Sequence, residues 1–331
     1  TRDADGDPDE ECIYHYDFYV TRRLHDVLLG EVIAFALHLP RDGVREFVIP
    51  LTAVTSKEEF RKNMAMQGIT AFGKDVDKLM AYIAAWINEL QRTTTASEAY
   101  QQFGWSDKEM TAFVLGDQLV TSTDVEYNPP SSKTAGLIEY FKPAGTRERQ
   151  VEILEFFNRE GLELQQFLVC MGFGSILMPL TGLNSFGVHL YGGTGVGKTT
   201  SMYCNLGIYG DPHGLKQGQR DTPNARMNRG EVMRNLLMAL STGNLSLYEV
   251  MTAFRDSPKA EMQRVLEIRV DPNLKATLDK NKTDKLFHDT KQNYGHFAVE
   301  YIQYVINNRD SLRNLYDKIK TRLDAAAGLQ P

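Results

Sequence analysis

Cysteine is scarce. The chain has three among 331 residues, Cys12, Cys170 and Cys204, set far apart. That excludes a disulfide framework, and no Cys/His spacing suggests zinc. Cys170 and Cys204 lie in apolar surroundings and are expected to be reduced, buried thiols of a cytoplasmic protein. Long hydrophobic runs are also missing. No stretch approaches about 18 consecutive apolar residues, so no transmembrane helix and no membrane partner are expected. The first residues, Thr1 to Glu11, are acidic and lack an apolar core, which argues against a signal peptide. A start at Thr1 rather than methionine reads as a portion of a longer protein. Positive charge is not in excess either: 37 basic against 43 acidic side chains give a net charge of −6. This excludes a basic nucleic-acid coat. It does not exclude a ring ATPase, in which a few pore cations per subunit hold a strand.

What is present is ordinary soluble composition, 42% hydrophobic and 24% charged, with length for about two domains. Residues 1–30 read as a partly disordered segment, 31–145 as an N-terminal α+β domain, and 146–331 as a helical lead-in followed by an α/β domain with C-terminal helices. The run Glu31 to Leu39 predicts a strand, Pro40 to Gly43 a turn, and Val44 to Leu51 a return strand. Ser56 and Glu59 have capping-box spacing and predict a helix closed by Gly68. A second helix, from about Lys74 to Gln91, carries an apolar stripe of Val76, Leu79, Met80, Ile83, Ile87 and Leu90. Short β segments are expected at Gly104–Ser106 and Phe113–Gly116, and a loop at Asn128–Ser132. Helices are expected from Thr146 to about Arg159 and from Glu163 to Leu177. After residue 180, strands alternate with helices, which argues for an α/β sheet. Strands are expected at Phe186–Tyr191, Met238–Gly243 and Arg264–Val270. Helices are expected at Leu245–Phe254, Tyr294–Ile306 and Ser311–Ala327.

One stretch stands out: Tyr191-Gly192-Gly193-Thr194-Gly195-Val196-Gly197-Lys198-Thr199-Thr200. It fits G-x-x-x-x-G-K-S/T, between an apolar strand and a helix, which is the context a phosphate-binding P-loop needs. Glycines let backbone N–H groups curl around a β-phosphate, and the positive end of the helix adds to the attraction. Lys198 would reach the β- and γ-phosphates of ATP, and the Thr199 hydroxyl would ligate Mg²⁺. Gly192 through Gly197, with Lys198, Thr199 and Thr200, form the expected nucleotide cradle.

A polar residue at the tip of a neighbouring strand often touches the γ-phosphate or the attacking water. Asn244 is placed for this, and equally to cap a helix starting at Leu245. An acid that holds Mg²⁺ and polarises water should end an apolar strand between Lys198 and Asn244. None of Asp211, Asp221 and Glu231 follows an apolar run. Leu236 to Leu240 reads as a helix end fused to a strand start, as if residues were missing near Leu237–Met238. Cα separations of about 3.8 Å throughout that region would exclude a gap. The enzyme then borrows its acid or hydrolyses ATP weakly, with Glu267 and Asp271 poor substitutes.

The segments Phe186–Thr200, Leu240–Asn244 with Ser246-Leu247, and Arg264–Ile268 resemble the phage and mobile-element ATPases first described as domain of unknown function nine-two-seven. Gly104-Trp105, Phe113–Leu115 and Tyr294–Ala298 are similar to that family's pattern. The resemblance covers roughly residues 30–310. It implies a P-loop NTPase fold of the AAA+ or RecA-like kind and an ATP-driven DNA helicase in phage or mobile-element replication. It also implies a hexameric ring around single-stranded DNA, a primase or polymerase nearby, and a place in the host cytoplasm. Two departures stand out: Asn244 replaces the family's glutamate, and the Asp-Glu strand is not found. Arg264 matches the family's arginine and would be an arginine finger or γ-phosphate sensor, with Arg255 second. Arg226, Arg229 and Arg234, and separately Lys280, Lys282 and Lys285, form basic clusters that could touch DNA phosphates or sit on solvated loops. A packaging or protein-remodelling ATPase and a P-loop small-molecule kinase are the alternatives.

Overall fold

The computed structural model describes residues 12–26, 29–100, 102–130, 134–182, 187–193, 197–216, 239–252, 265–270 and 279–328. The chain divides into two compact units, Thr1–Gln101 with Asn128–Ala135, and Gln102–Tyr127 with Gly136–Pro331.

In the first unit, β1 (Phe18–Asp26), β2 (Gly30–Leu39), β3 (Gly43–Pro50) and β4 (Ser97–Ala99) form one sheet in the order β3-β2-β1-β4. β2 pairs antiparallel with both β1 and β3. Its six residues Val32 to Leu37 are all buried, so this run is continuously apolar rather than alternating. One face stacks the rings of Phe18, Phe35 and Phe47, with centroids 5.3–6.2 Å apart. The other face gathers Leu24, Val32 and Ala34. After the single turn α1 (Leu51–Thr55), helices α2 (Lys57–Met66) and α3 (Lys74–Thr93) close over the aromatic face with Phe60, Met64, Val76, Leu79, Ile83 and Ile87. Each such side chain contributes roughly 1.5–3 kcal/mol by leaving water. β1 lies inside the first thirty residues, where the sequence suggested a partly disordered segment. Its Arg23 is held by Glu31 on β2. Ser56 precedes α2 as expected, but its side chain makes no capping bond.

In the second unit, β5 (Gly104–Trp105), β6 (Phe113–Leu115), β7 (Gln118–Val120) and β8 (Val125–Tyr127) form a small antiparallel sheet in that order. Trp105 Nε1 donates to the Ile176 carbonyl at 2.7 Å, which ties this sheet to the stretch following α5. Helix α4 (Arg147–Glu155) is capped by Thr146, whose hydroxyl accepts from Arg149 N. Helix α5 (Glu163–Gly174) lays Leu168 and Met171 on a parallel sheet of β10 (Ala239–Gly243), β9 (Gly187–Tyr191) and β11 (Val265–Arg269), with β9 in the centre. The stretch Glu163–Thr181 is long and apolar enough, by composition, to cross a membrane. One side of it packs against the parallel sheet while Phe167 and Cys170 are exposed, and a 3₁₀ turn and Pro179 interrupt it.

Helix α6 (Lys198–Leu206) follows the glycine-rich stretch and is buried from Thr200 to Leu206. Asn205 on α6 donates to the Leu168 carbonyl of α5 at 2.8 Å. Beyond β10 comes the short helix α7 (Leu247–Thr252), and after β11 come α8 (Lys280–Asp289), α9 (Ala298–Asn307) and α10 (Arg309–Ala326). Lys280, Lys282 and Lys285 thus lie on a helix rather than a loop. Asp279 caps it, accepting from Lys282 N at 3.1 Å. α9 starts at Ala298, not Tyr294, because Tyr294 bridges to Ala144 and Gly295 turns at φ +79°. Cys204 is buried as expected, but Cys170 is exposed on the outer face of α5.

Candidate functional site

The site is built at one end of the parallel sheet. Tyr191 of β9 is in register with Gly243 of β10 and with Arg269 of β11. All three strands therefore finish in one row, and Gly192, Asn244 and Val270 leave the sheet side by side. This placement is the one expected for ligand sites of open parallel sheets, outside the carboxyl ends of the strands.

Two glycines are required by geometry. Gly192 has φ +138°, and a Cβ there would stand 3.0 Å from the Val270 carbonyl oxygen. The same residue, Val270, donates its N–H to the Tyr191 carbonyl at 2.8 Å, so the first turn of the loop is fastened to the end of β11. Gly197 adopts the left-handed conformation, φ 78° and ψ 3°, and turns the chain into α6. The first turn of α6 carries no side-chain cap. Free amides and the helix dipole therefore leave partial positive charge at the N-terminal end of α6. The residues present fit an anionic phosphate and a hard cation: a tight glycine turn, uncapped amides, an ammonium and a partly exposed hydroxyl at Thr199.

Lys198 folds over the loop. Its Nζ donates to the carbonyls of Gly192 at 2.8 Å and Gly193 at 2.6 Å. Thr200, also part of the expected cradle, is buried at the base of the helix. Thr194, Gly195 and Val196 lie outside the described residues, as do Arg264, Arg255 and the cluster Arg226, Arg229 and Arg234. The region expected to hold the missing acid, and the possible gap near Leu237–Met238, lie outside them too.

Asn244 is exposed at the strand tip, but it does not cap the following helix. Ser246 does. Its hydroxyl accepts from Glu249 N at 3.0 Å while the Glu249 carboxylate accepts from Ser246 N at 3.0 Å, a reciprocal capping box. With the cap assigned elsewhere, the Asn244 amide is left to other chemistry. Glu267 lies mid-strand on β11, and its carboxylate accepts from Leu247 N at the start of α7. That engagement makes it a helix-terminus partner rather than a free acid at the loop.

Two residues with positions of interest escaped the sequence reading. Arg269 ends β11 beside Tyr191, exposed, and makes no ion pair among the described residues. His189 sits buried in the middle of β9, in register with Ser241 on one side and Glu267 on the other. The signal for Arg269 was its place as the last residue of a strand. His189 had none, because strand register joins positions far apart in sequence.

Residues 20–226 match the profile of the family described as Domain of unknown function (DUF927). No curated protein matches the chain. Among solved structures, that of the SCCmec type IV Cch active helicase is similar to 93% of this chain, with a TM-score of 0.67 and 15% sequence identity. The chain spans 64% of the length of that structure, and the likeness establishes a shared fold. The match to the family profile runs from the first strand through the glycine-rich loop and its helix, over more than half of the sequence, so the chain belongs to the DUF927 family.

Proposed function

We propose that this chain is an ATP-dependent DNA helicase or translocase of mobile-element or phage replication, working as a hexameric ring in the cytoplasm of the host. In this reading the second unit is a P-loop NTPase of AAA+ or RecA-like type. The observation that carries it is the row formed by Tyr191, Gly243 and Arg269, with Gly192 and Asn244 emerging from it. The fold likeness to a mobile-element helicase supports the same reading.

The residues divide the work as follows. The amides at the start of α6 would hold the β-phosphate of ATP. Lys198 would exchange two neutral carbonyl acceptors for phosphate oxygens, which are stronger partners for an ammonium. Thr199 would hold Mg²⁺, which supplies neutralising charge across the β- and γ-phosphates. Asn244 would orient the attacking water or the γ-phosphate. Arg269 faces the same end of the sheet and offers a further cation for it. Arg264, from a neighbouring subunit, would serve as the arginine finger.

The test is ATP turnover with and without single-stranded DNA, together with mass determination in the presence of nucleotide. Stimulation by single-stranded DNA and a ring-sized assembly are expected. A monomer or dimer indifferent to DNA would replace the helicase reading with a small-molecule kinase. A response to duplex DNA alone would replace it with a packaging motor.

A further inference from the structure

His189 occupies the centre of β9 and is 4% exposed. Its Nε2 lies 2.9 Å from the carbonyl oxygen of Leu245, and its Nδ1 lies 2.7 Å from Ser241 Oγ. A carbonyl only accepts, so Nε2 carries a hydrogen, and in the neutral ring Nδ1 accepts from the Ser241 hydroxyl. The ring stacks on Tyr191 with centroids 6.3 Å apart and planes within 6°. A Cβ on Gly243 would come 3.0 Å from His189 Cε1. One imidazole therefore touches residues 241, 243 and 245, on both sides of Asn244.

Packing alone does not call for a histidine here. The opposite face of the same strand is filled by Val188 and Leu190, and a branched aliphatic would fill this face without the desolvation penalty of two ring nitrogens. What the imidazole adds is direction: two hydrogen bonds fix where the strand tip stands relative to the strand that carries the loop.

We propose that His189 is a positioning residue that sets the Gly243–Leu245 turn against β9 and so holds Asn244 beside Gly192, where the chain leaves β9. This rests on the reading of Lys198 and Asn244 as parts of one phosphate site.

The experiment uses the full chain and four variants: Lys198→Ala, His189→Ala, His189→Gln and Gly243→Ala. Melting temperature, affinity for a non-hydrolysable ATP analogue, and kcat and KM for ATP are measured on each. His189→Ala is expected to lower kcat about 10-fold or more while affinity and KM stay within about twofold, since a small misplacement of a catalytic group is felt in the chemical step. His189→Gln should recover part of the loss, because its amide N–H can still donate to the Leu245 carbonyl. Gly243→Ala should reproduce the kcat loss with the histidine in place. The proposal is overturned if folded His189→Ala keeps its kcat, if KM rises instead, or if His189→Gln is no better than His189→Ala. Where His189→Ala does not fold, Gly243→Ala decides: a kcat loss at constant affinity supports positioning, and an unchanged kcat refutes it. Full turnover in Lys198→Ala identifies a different failure, that of the nucleotide site itself, and removes the proposal with it.

Discussion

An inner strand of the first sheet and the central strand of the parallel sheet carry very different residues at their midpoints. β2 has Phe35, fully buried in a cluster of three rings with Phe18 and Phe47. β9 has His189, nearly as buried but held by hydrogen bonds to neighbouring chain. The first sheet spends its centre on area removed from water, and a polar substitute there would find no partner. The second has hydrogen-bonding groups at its centre, and its row of Ser241, His189 and Glu267 lies two residues before the row of Gly243, Tyr191 and Arg269, after which Gly192 and Asn244 emerge. The lesson is that burial alone does not distinguish a scaffold sheet from a working one; the chemistry of the buried row does.

The sharpest test of this contrast is Phe35→Ala, which should destabilise the protein by about 3–5 kcal/mol, read by denaturant unfolding, because a buried aromatic ring is lost and the cavity left beside Phe18 and Phe47 closes only in part. Turnover per folded molecule should not change. A loss below about 1 kcal/mol would mean that the first sheet is not held by its aromatic core. Lys198→Ala should do the reverse. Turnover should fall roughly 10²–10³-fold, equivalent to about 2.7–4 kcal/mol of lost stabilisation, with little change in melting temperature.

Gly192→Ala falls between the two. At φ +138° and 3.0 Å from the Val270 oxygen, an added methyl should strain the backbone by about 1–3 kcal/mol. Nucleotide affinity should weaken and the melting temperature should drop together; titration calorimetry alongside a thermal scan would show whether they do.

The smallest effect concerns the pair of inner strands β1 and β2 in the first sheet. The hydrogen bond from Arg23 holds the Glu31 carboxyl below its ordinary value of 4.5. A depressed carboxyl stabilises the fold above that ordinary value and loses its contribution as pH falls through the folded value. Glu31→Gln should therefore cost about 1 kcal/mol at neutral pH. It should also flatten the decline in melting temperature below pH 4.5. An unchanged acid limb would assign that decline to other groups.

Local features were legible in the sequence, and relations between distant segments were not. The glycine-rich loop, the β2–β3 hairpin and the stripe on α3 each follow from spacing within one segment. β1 was missed because Arg22, Arg23 and His25 break its alternation, and only the pairing of Arg23 with Glu31 shows how one of those charges is accommodated. The helix at Lys280–Asp289 was hidden by its lysines, although Leu286 anchors it in the core. Two Ser-x-x-Glu patterns make a useful pair. Ser246 and Glu249 form the full capping box, whereas Ser56 makes no side-chain cap bond, so the pattern proposes a helix start without guaranteeing the bonds. Asn244 and Ser246 are both good caps, and only geometry chose between them. The register that brings Ser241, His189 and Glu267 into one row has no trace in any local window.

The thiols differ as sharply as the sheets do. Cys204 is sealed behind α5, where burial pushes its pKa far up, while Cys170 and Cys12 face solvent. A maleimide dye would therefore attach at the two outer positions and leave the inner one alone. With Cys12→Ser, a single fluorophore would ride on the outer face of the helix that underlies the loop-bearing sheet. It would provide an optical gauge of how that sheet responds when nucleotide arrives and departs.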